Sequence, residues 1–384
     1  MNSNYLYGME QKSISIVTGY AQEKKLHQLA SDCTQLEDRT NEDTYVIQQT
    51  DIDAIVGVFD GHAGPTVSYL LAKHLPQVLQ KELHSTSANT IDETIKTPSP
   101  KVNYWSYATT AWDYVKSFSP SPSSSSDYDY DPVVLSTPKK NYLEGIVKSF
   151  NKINEALNNT AIQHKKDPAS IGGSTAAISF IPDITVVDPD IYIANVGDSR
   201  IYDAHENILT VDHNLSNKNE TTRIHRKHQW FKPKVMLYPK DDEKDDGSYL
   251  SMSRAFGDFN YNSIGVNAEP TVKCLSLSQL PQKDGFKFLI YVTDGVYNEF
   301  GKNSISDIVA ASLKVDPNNL TLAANKIIYA ALKHSKRNEI ARYSAAEFDE
   351  EFEKFKESKN YTNTESHSCT GPRDDMTAIV QLFK

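Results

Sequence analysis

Cysteine is scarce in this chain: Cys33, Cys274 and Cys369 are its 3 cysteines, and they stand far apart without the spacing of a metal-ligand motif. That argues against a disulfide framework and a thiolate metal site, and it points to a reducing compartment. Long apolar runs are missing too. No stretch approaches the ~20 consecutive apolar residues of a membrane span, so no membrane-spanning segment is expected. The stretch Met1 to Glu10 has neither the basic and apolar segments of a secretory signal nor the arginines of a transit peptide, which makes an intracellular location, cytoplasmic or nuclear, the default. Positive charge is in deficit, with 40 Lys and Arg against 50 Asp and Glu and a formal net charge of -10. The field of such a protein repels nucleic acid, and no nucleic-acid partner is expected. The densest basic stretch, Arg223 to Lys234, reads as a solvated loop, with substrate docking as its functional alternative.

What is present is an ordinary globular balance, and 384 residues are enough to bury a large core. Short β-rich runs dominate: Ile14 to Val17, Tyr45 to Ile47, Ala54 to Phe59, Thr175 to Phe180, Ile191 to Val196, Phe288 to Thr293 and Thr377 to Phe383. Their length and Val, Ile, Tyr and Phe content suit sandwich strands with buried inner faces. Helical periodicity appears in Val67, Leu70, Leu71 and Leu75, in Ile146, Val147, Phe150, Ile153 and Leu157, and from Leu320 to Leu332. The irregular alternation favours a layered α+β arrangement with mostly antiparallel sheets. A single domain over 1–384 is expected, with two insertions. One, 86–140, is rich in Pro, Ser, Asp and Tyr and buries too little apolar surface to offset its ordering entropy. The other, 334–367, is charged, and Ser344 and Glu347 form a capping box ahead of Phe348, Phe352 and Phe355, which predicts a surface helix.

Acidic residues recur at strand ends. Ala54 to Phe59 runs into Asp60-Gly61-His62-Ala63-Gly64, and Phe288 to Thr293 runs into Asp294-Gly295. Asp374-Asp375 precedes the last strand, and Glu42-Asp43 precedes Tyr45 to Ile47. Any one of these acids could merely cap a turn. Converging and unpaired they would repel in a partly buried site, and divalent cations would relieve that cost. Hard oxygen ligands without a Cys or His cluster point to Mg²⁺ or Mn²⁺ rather than to structural zinc.

The ordered series Asn41-Glu42-Asp43, Asp60-Gly61-His62-Ala63-Gly64, Gly173-Ser174-Thr175-Ala176, Ala194-Asn195-Val196-Gly197-Asp198-Ser199-Arg200, Ser253-Arg254-Ala255-Phe256-Gly257-Asp258, Asp294-Gly295 and Asp374-Asp375-Met376-Thr377 resembles the metal-dependent serine/threonine protein phosphatases of type 2C. The resemblance spans about Ile14 to Phe383. It implies a central β-sandwich of two antiparallel sheets flanked by helix pairs, four layers in the order α-β-β-α, with two Mg²⁺ or Mn²⁺ ions in a cleft at one end. Asp60 would bridge the ions, the carbonyl of Gly61 would bind one, and Asp294 and Asp374 would complete the ligands. Glu42 and Asp43 would hold metal-bound waters or one ion directly, and Asp198 matches the position of a weaker third ion. The implied chemistry is in-line attack of a metal-bridging hydroxide on a phosphoserine or phosphothreonine protein, without a phosphoenzyme. His62 is the candidate acid for the leaving alkoxide. Phosphoprotein substrates and a monomer are expected, and mitochondrial relatives leave that compartment open.

Three positions depart from the family pattern. Arg39 stands one residue closer to Glu42-Asp43 than the family's phosphate-gripping arginine, which on an extended segment reverses the side-chain direction. It reaches the phosphate only if a bulge or turn corrects the register. Asn298 replaces a common acid, and Asp375 replaces the usual Asn. Two rival readings follow: a catalytically weak or inactive pseudophosphatase that binds partners, favoured by the displaced Arg39 and the insertions, and a hydrolase of small phosphoesters.

Overall fold

A computed structural model describes residues 16–23, 27–28, 36–37, 41–83, 137–163, 171–225, 250–300, 304–339 and 374–384. The predicted insertions lie largely outside them, as do Arg39, the capping box at Ser344 and most of the basic stretch after Arg223. Two larger sheets organise the chain. The first joins β1 (Ile16–Glu23), β14 (Met376–Phe383), β13 (Lys287–Val292) and β10 (Arg200–Tyr202) in that order. The second joins β12 (Thr271–Ser276), β9 (Asp190–Val196), β8 (Ala176–Ile181), β5 (Ala54–Phe59) and β4 (Thr44–Gln49). Every ladder in both is antiparallel. A small sheet of β11 (Phe256–Gly257), β7 (Gly173–Ser174) and β6 (Gly61–His62) brings the Asp60-Gly61-His62, Gly173-Ser174 and Phe256-Gly257-Asp258 motifs together. A two-stranded ladder pairs β2 (His27–Gln28) with β3 (Leu36–Glu37).

The period-two alternation of strands sorts the core. Leu289 and Tyr291 of β13 join Ile379 and Phe383 of β14 and meet Val56, Val58, Ala177 and Ile193 of the five-stranded sheet. Phe288, Ile290 and Val292, the intervening residues, face the other way. There they pack on Val296 of α4 (Asp294–Phe300), Val309 and Leu313 of α5 (Ile305–Val315), and Ala323 and Ile327 of α6 (Leu320–Glu339). The five-stranded sheet is covered likewise: Ile55, Phe59, Ile178 and Phe180 pack on Leu71 and Leu75 of α1 (Thr66–Leu83) and on Phe150 and Ile153 of α2 (Thr137–Gln163). Each sheet is thus buried on both faces, which explains why β5 reads as a continuous apolar run and why every residue of β14 is buried, Thr377 and Gln381 included. A separate cluster of Ile224, Leu250, Met252, Tyr261 and Ile264 forms around α3 (Lys218–His225).

The chain passes from one sheet to the other at Gly197-Asp198-Ser199, between β9 and β10. Gly197 has φ +86° there, and a Cβ on it would lie 2.6 Å from the Thr175 methyl, so only glycine fits the crossover. The same crossover delivers Asp198 to the end of the sandwich.

Candidate functional site

Strands β4, β5 and β13 and the start of β14 deliver acids to one end of the two sheets. Asp60 follows β5, Asp294 opens α4 after β13, Asp374 precedes β14, and Glu42 and Asp43 precede β4. Threonine hydroxyls fix the strand ends: Asp60 N donates to Thr175 Oγ1 at 3.2 Å, Thr293 Oγ1 donates to Asp43 Oδ2 at 2.9 Å, and Thr377 N donates to Thr293 Oγ1 at 3.0 Å. Glu42 is anchored at three points, its N–H on Asp375 Oδ2 at 2.7 Å, its carbonyl under Ser68 Oγ at 2.5 Å and its Oε1 on Gly64 N at 3.1 Å. Asp375, where an asparagine is common, therefore ties β14 to the segment before β4 by accepting a backbone hydrogen bond.

The acids feel one another. Burial raises the Asp60 carboxyl well above the usual range, and the charges of Asp43, Asp294, Asp374 and Asp198 raise it further. Asp43 is raised by burial and by Asp375, against hydrogen bonds from Thr293 and Thr377. Asp294 is pushed up to about 6 by burial and Asp374, although a hydrogen bond with Asp60 and another from Asn298 Nδ2, at 3.2 Å, oppose the shift. Asp198 is pushed up to about 7 by burial, Asp294 and Asp212. The sequence-predicted ligands Asp60, Asp294, Asp374, Asp43 and Asp198 thus share one electrostatic site, and Gly61 and Glu42 adjoin it.

Do these residues fit divalent cations? The donors are all hard oxygens, they carry a charge excess that cations would relieve, and Asp198 Oδ1 is buried with no hydrogen-bond partner among the described residues. No group of three or more His, Cys, Asp or Glu side chains able to hold an ion was found among the described residues. The fit is one of donor chemistry and charge.

His62 lies beside this cluster and turns to a partner with no local sequence signal. Its Nε2 is 2.7 Å from Asp258 Oδ2, and the two residues are 196 positions apart. Burial alone would lower the imidazole's pKa, but the charge and hydrogen bond of Asp258, with Glu42 and Asp198, raise it above its ordinary value. Its Nδ1 is buried without a hydrogen-bond partner among the described residues. Asp258 itself takes a left-handed conformation, φ 46° and ψ 39°, and its N–H donates to Gly172 O at 3.1 Å. Gly173 makes the pair feasible, since a Cβ there would stand 2.2 Å from Asp258 Oδ2 and 2.4 Å from His62 Nε2. Asp258 appears in the Ser253 to Asp258 motif, yet only the fold reveals it as the histidine's partner.

Comparison with known proteins adds independent findings. The family model described as Protein phosphatase 2C matches residues 126–340, more than half of the chain, a span that includes Asp198, Asp258 and Asp294. A probable protein phosphatase 2C 6 of Paramecium tetraurelia is 29% identical over 208 residues, covering 50% of this chain and 63% of the relative. Protein phosphatase 1K, mitochondrial, of Xenopus laevis is 31% identical over 169 residues, covering 43% of this chain and 41% of that protein. The chain spans about three fifths of the length of the first curated relatives it matches, 58–63%. Among solved structures, a serine-threonine phosphatase 2C from Toxoplasma gondii superposes with a TM-score of 0.53 at 15% identity, covering 97% of this chain and 95% of the other. That likeness concerns the fold.

Proposed function

The chain belongs to the protein phosphatase 2C family, and from that premise we propose that it is a metal-dependent phosphatase of phosphoserine and phosphothreonine proteins. One observation carries the reading: five buried or half-buried aspartates, Asp43, Asp60, Asp198, Asp294 and Asp374, converge at the end of a sandwich, where burial and neighbouring acids raise the pKa values of Asp43, Asp60, Asp198 and Asp294. Retaining such a destabilising cluster suits a site that gathers cations better than a binding scaffold. The four-layer α-β-β-α arrangement is proposed with it, on the three apolar clusters that cover both faces of both sheets.

Asp60, Asp294, Asp374 and the Gly61 carbonyl would hold two Mg²⁺ or Mn²⁺ ions, with Asp43 and Glu42 supporting their waters and Asp198 offered to a third. Bound there, the ions supply an activated water and neutralise the phosphoryl oxygens. The chain's own residues do the rest. Thr293, Thr175 and Thr377 lock the acids into register, so that little reorganisation is needed during the reaction. Asp258 holds Nε2 of His62 and favours the imidazolium, and His62 is the proposed source of the proton for the departing serine or threonine oxygen. Against the rival pseudophosphatase reading stands the charge gathered by the acids of the cleft, which cations would relieve.

The test is phosphate release from a phosphothreonine peptide with Mn²⁺, with Mg²⁺ and with chelator, for wild type, Asp60→Asn and Asp294→Asn. The reading predicts metal-dependent release that each substitution lowers by more than about a hundredfold, beyond the usual cost of losing an outer partner of a metal site. No release by folded wild-type protein with either metal would overturn it.

A further inference from the structure

Asp198 and Asp294 reach the cleft from different elements, one from the crossover before β10, the other from the start of α4, and after burial it is the Asp294 charge that most raises the Asp198 pKa. Something must hold two mutually repelling segments at a fixed distance. Arg200 begins β10, two residues after Asp198, and stands opposite Val292 on β13. Its guanidinium makes a forked pair with Asp212, Nε to Oδ1 at 3.1 Å and Nη2 to Oδ2 at 2.6 Å, and Nη1 donates to Tyr202 Oη at 3.1 Å. Its face lies 3.8 Å from the ring centroid of Tyr297, one turn beyond Asp294 in α4.

Asp212 is itself tied to the crossover. On one side of it, Val211 exchanges hydrogen bonds with the Asn195 side chain, N to Oδ1 at 3.1 Å and Nδ2 to O at 2.7 Å. On the other, His213 N donates to Gly197 O at 3.0 Å. Arg200 therefore joins the Asp198 crossover, the Val211–His213 segment and the Asp294 helix through one planar group. We infer that Arg200 is a positioning residue that clamps the Asp198 turn to the Asp294 helix through Tyr297, and so sets the spacing of these two carboxylates for divalent cations. The inference rests on reading the acids as a metal centre. A lysine would keep the charge but not the fork or the flat face that stacks on the ring.

The experiment is titration calorimetry of Mn²⁺ into wild type, Arg200→Lys, Tyr297→Leu, Tyr297→Phe and the Arg200→Lys/Tyr297→Leu double variant, with circular dichroism to verify folding. A clamp predicts about tenfold to a hundredfold weaker Mn²⁺ binding in Arg200→Lys and Tyr297→Leu and near wild-type binding in Tyr297→Phe, with a double variant no weaker than the worse single one. Wild-type binding unchanged in both Arg200→Lys and Tyr297→Leu would overturn the clamp and leave the metal centre standing. Absence of Mn²⁺ binding by wild type would instead overturn the metal centre, and the clamp with it. Should Arg200→Lys fail to fold, equal affinities of Tyr297→Leu and Tyr297→Phe overturn the clamp.

Discussion

Two of the places where the described residues bury carboxylates treat them in opposite ways. In the cleft, burial and neighbouring acids raise the pKa values of Asp60, Asp198 and Asp294, which have few cationic partners among the described residues. In the first turn of α3, Glu220 is 2% exposed and receives Arg254 through Nε and Nη2, Arg223 through Nε and Nη2, and the Ser253 hydroxyl at 2.7 Å. Burial alone would raise Glu220, but Arg254 and then Arg223 outweigh it and hold the carboxyl at about 2. The Glu220 cluster is a finished structure, with its charge compensated inside the chain. The cleft is unfinished in the same sense, and on the proposed reading cations would complete it. Charge left uncompensated at a rigid position marks function, whereas charge fully paired marks architecture.

Removing one partner breaks the comparison most strongly at the paired site. Glu220→Gln leaves Arg223 and Arg254 without their counter-charge and is expected to lower stability by about 3–5 kcal/mol, read by urea unfolding, with no recovery on adding Mn²⁺. Acid sharpens the contrast. The Glu220 pKa is depressed from its ordinary 4.5 to about 2, so its contribution is fully present above pH 4.5 and is lost as pH falls from 4.5 to about 2. The loss amounts to roughly 3 kcal/mol, visible as the difference between wild-type and Glu220→Gln acid-unfolding curves. Asp198 behaves with the opposite sign: raised from 3.8 to about 7, it favours the folded metal-free protein below pH 3.8 and ceases to as pH rises through 7. Asp198→Asn is therefore expected to stabilise the metal-free protein at neutral pH and to lose that advantage as pH falls towards 4. The smallest effect is expected from Asn298→Asp, which replaces the donor on Asp294 Oδ2 with a further exposed charge. Chelated, that variant should lose less than about 1 kcal/mol, and in a Mn²⁺ titration it should bind a few-fold more tightly.

Much of the paired-and-unpaired pattern was legible in part only. The run Ala54 to Phe59 has the same bounds as β5, and Asp60 stands at its end as expected, because a strand buried on both faces has a strong apolar signal. β10, three residues long, and β12, whose burial alternates irregularly beside Lys273 and Ser276, have no such signal and were not expected. α5 was also missed, although Ser304 caps it by accepting from Asp307 N at 3.1 Å. The charged insertion expected from 334 begins inside α6, which runs on to Glu339. The acids of the cleft were readable because each follows or precedes a strand. The partners were not: Asp258 meets His62 across 196 positions and Arg254 meets Glu220 across 34, contacts made by tertiary folding and not by any local period.

Thermal unfolding of wild type and Asp60→Asn, each in chelator and in Mn²⁺, tests most directly the claim that the cleft acids are uncompensated by design. In chelator Asp60→Asn should melt above wild type, because one repelling charge is gone. Mn²⁺ at about 100 times its dissociation constant should stabilise wild type by about 2.7 kcal/mol, several degrees, and the variant far less. A wild-type melting temperature that Mn²⁺ leaves unmoved, together with an Asp60→Asn protein that melts lower in chelator, would contradict the account.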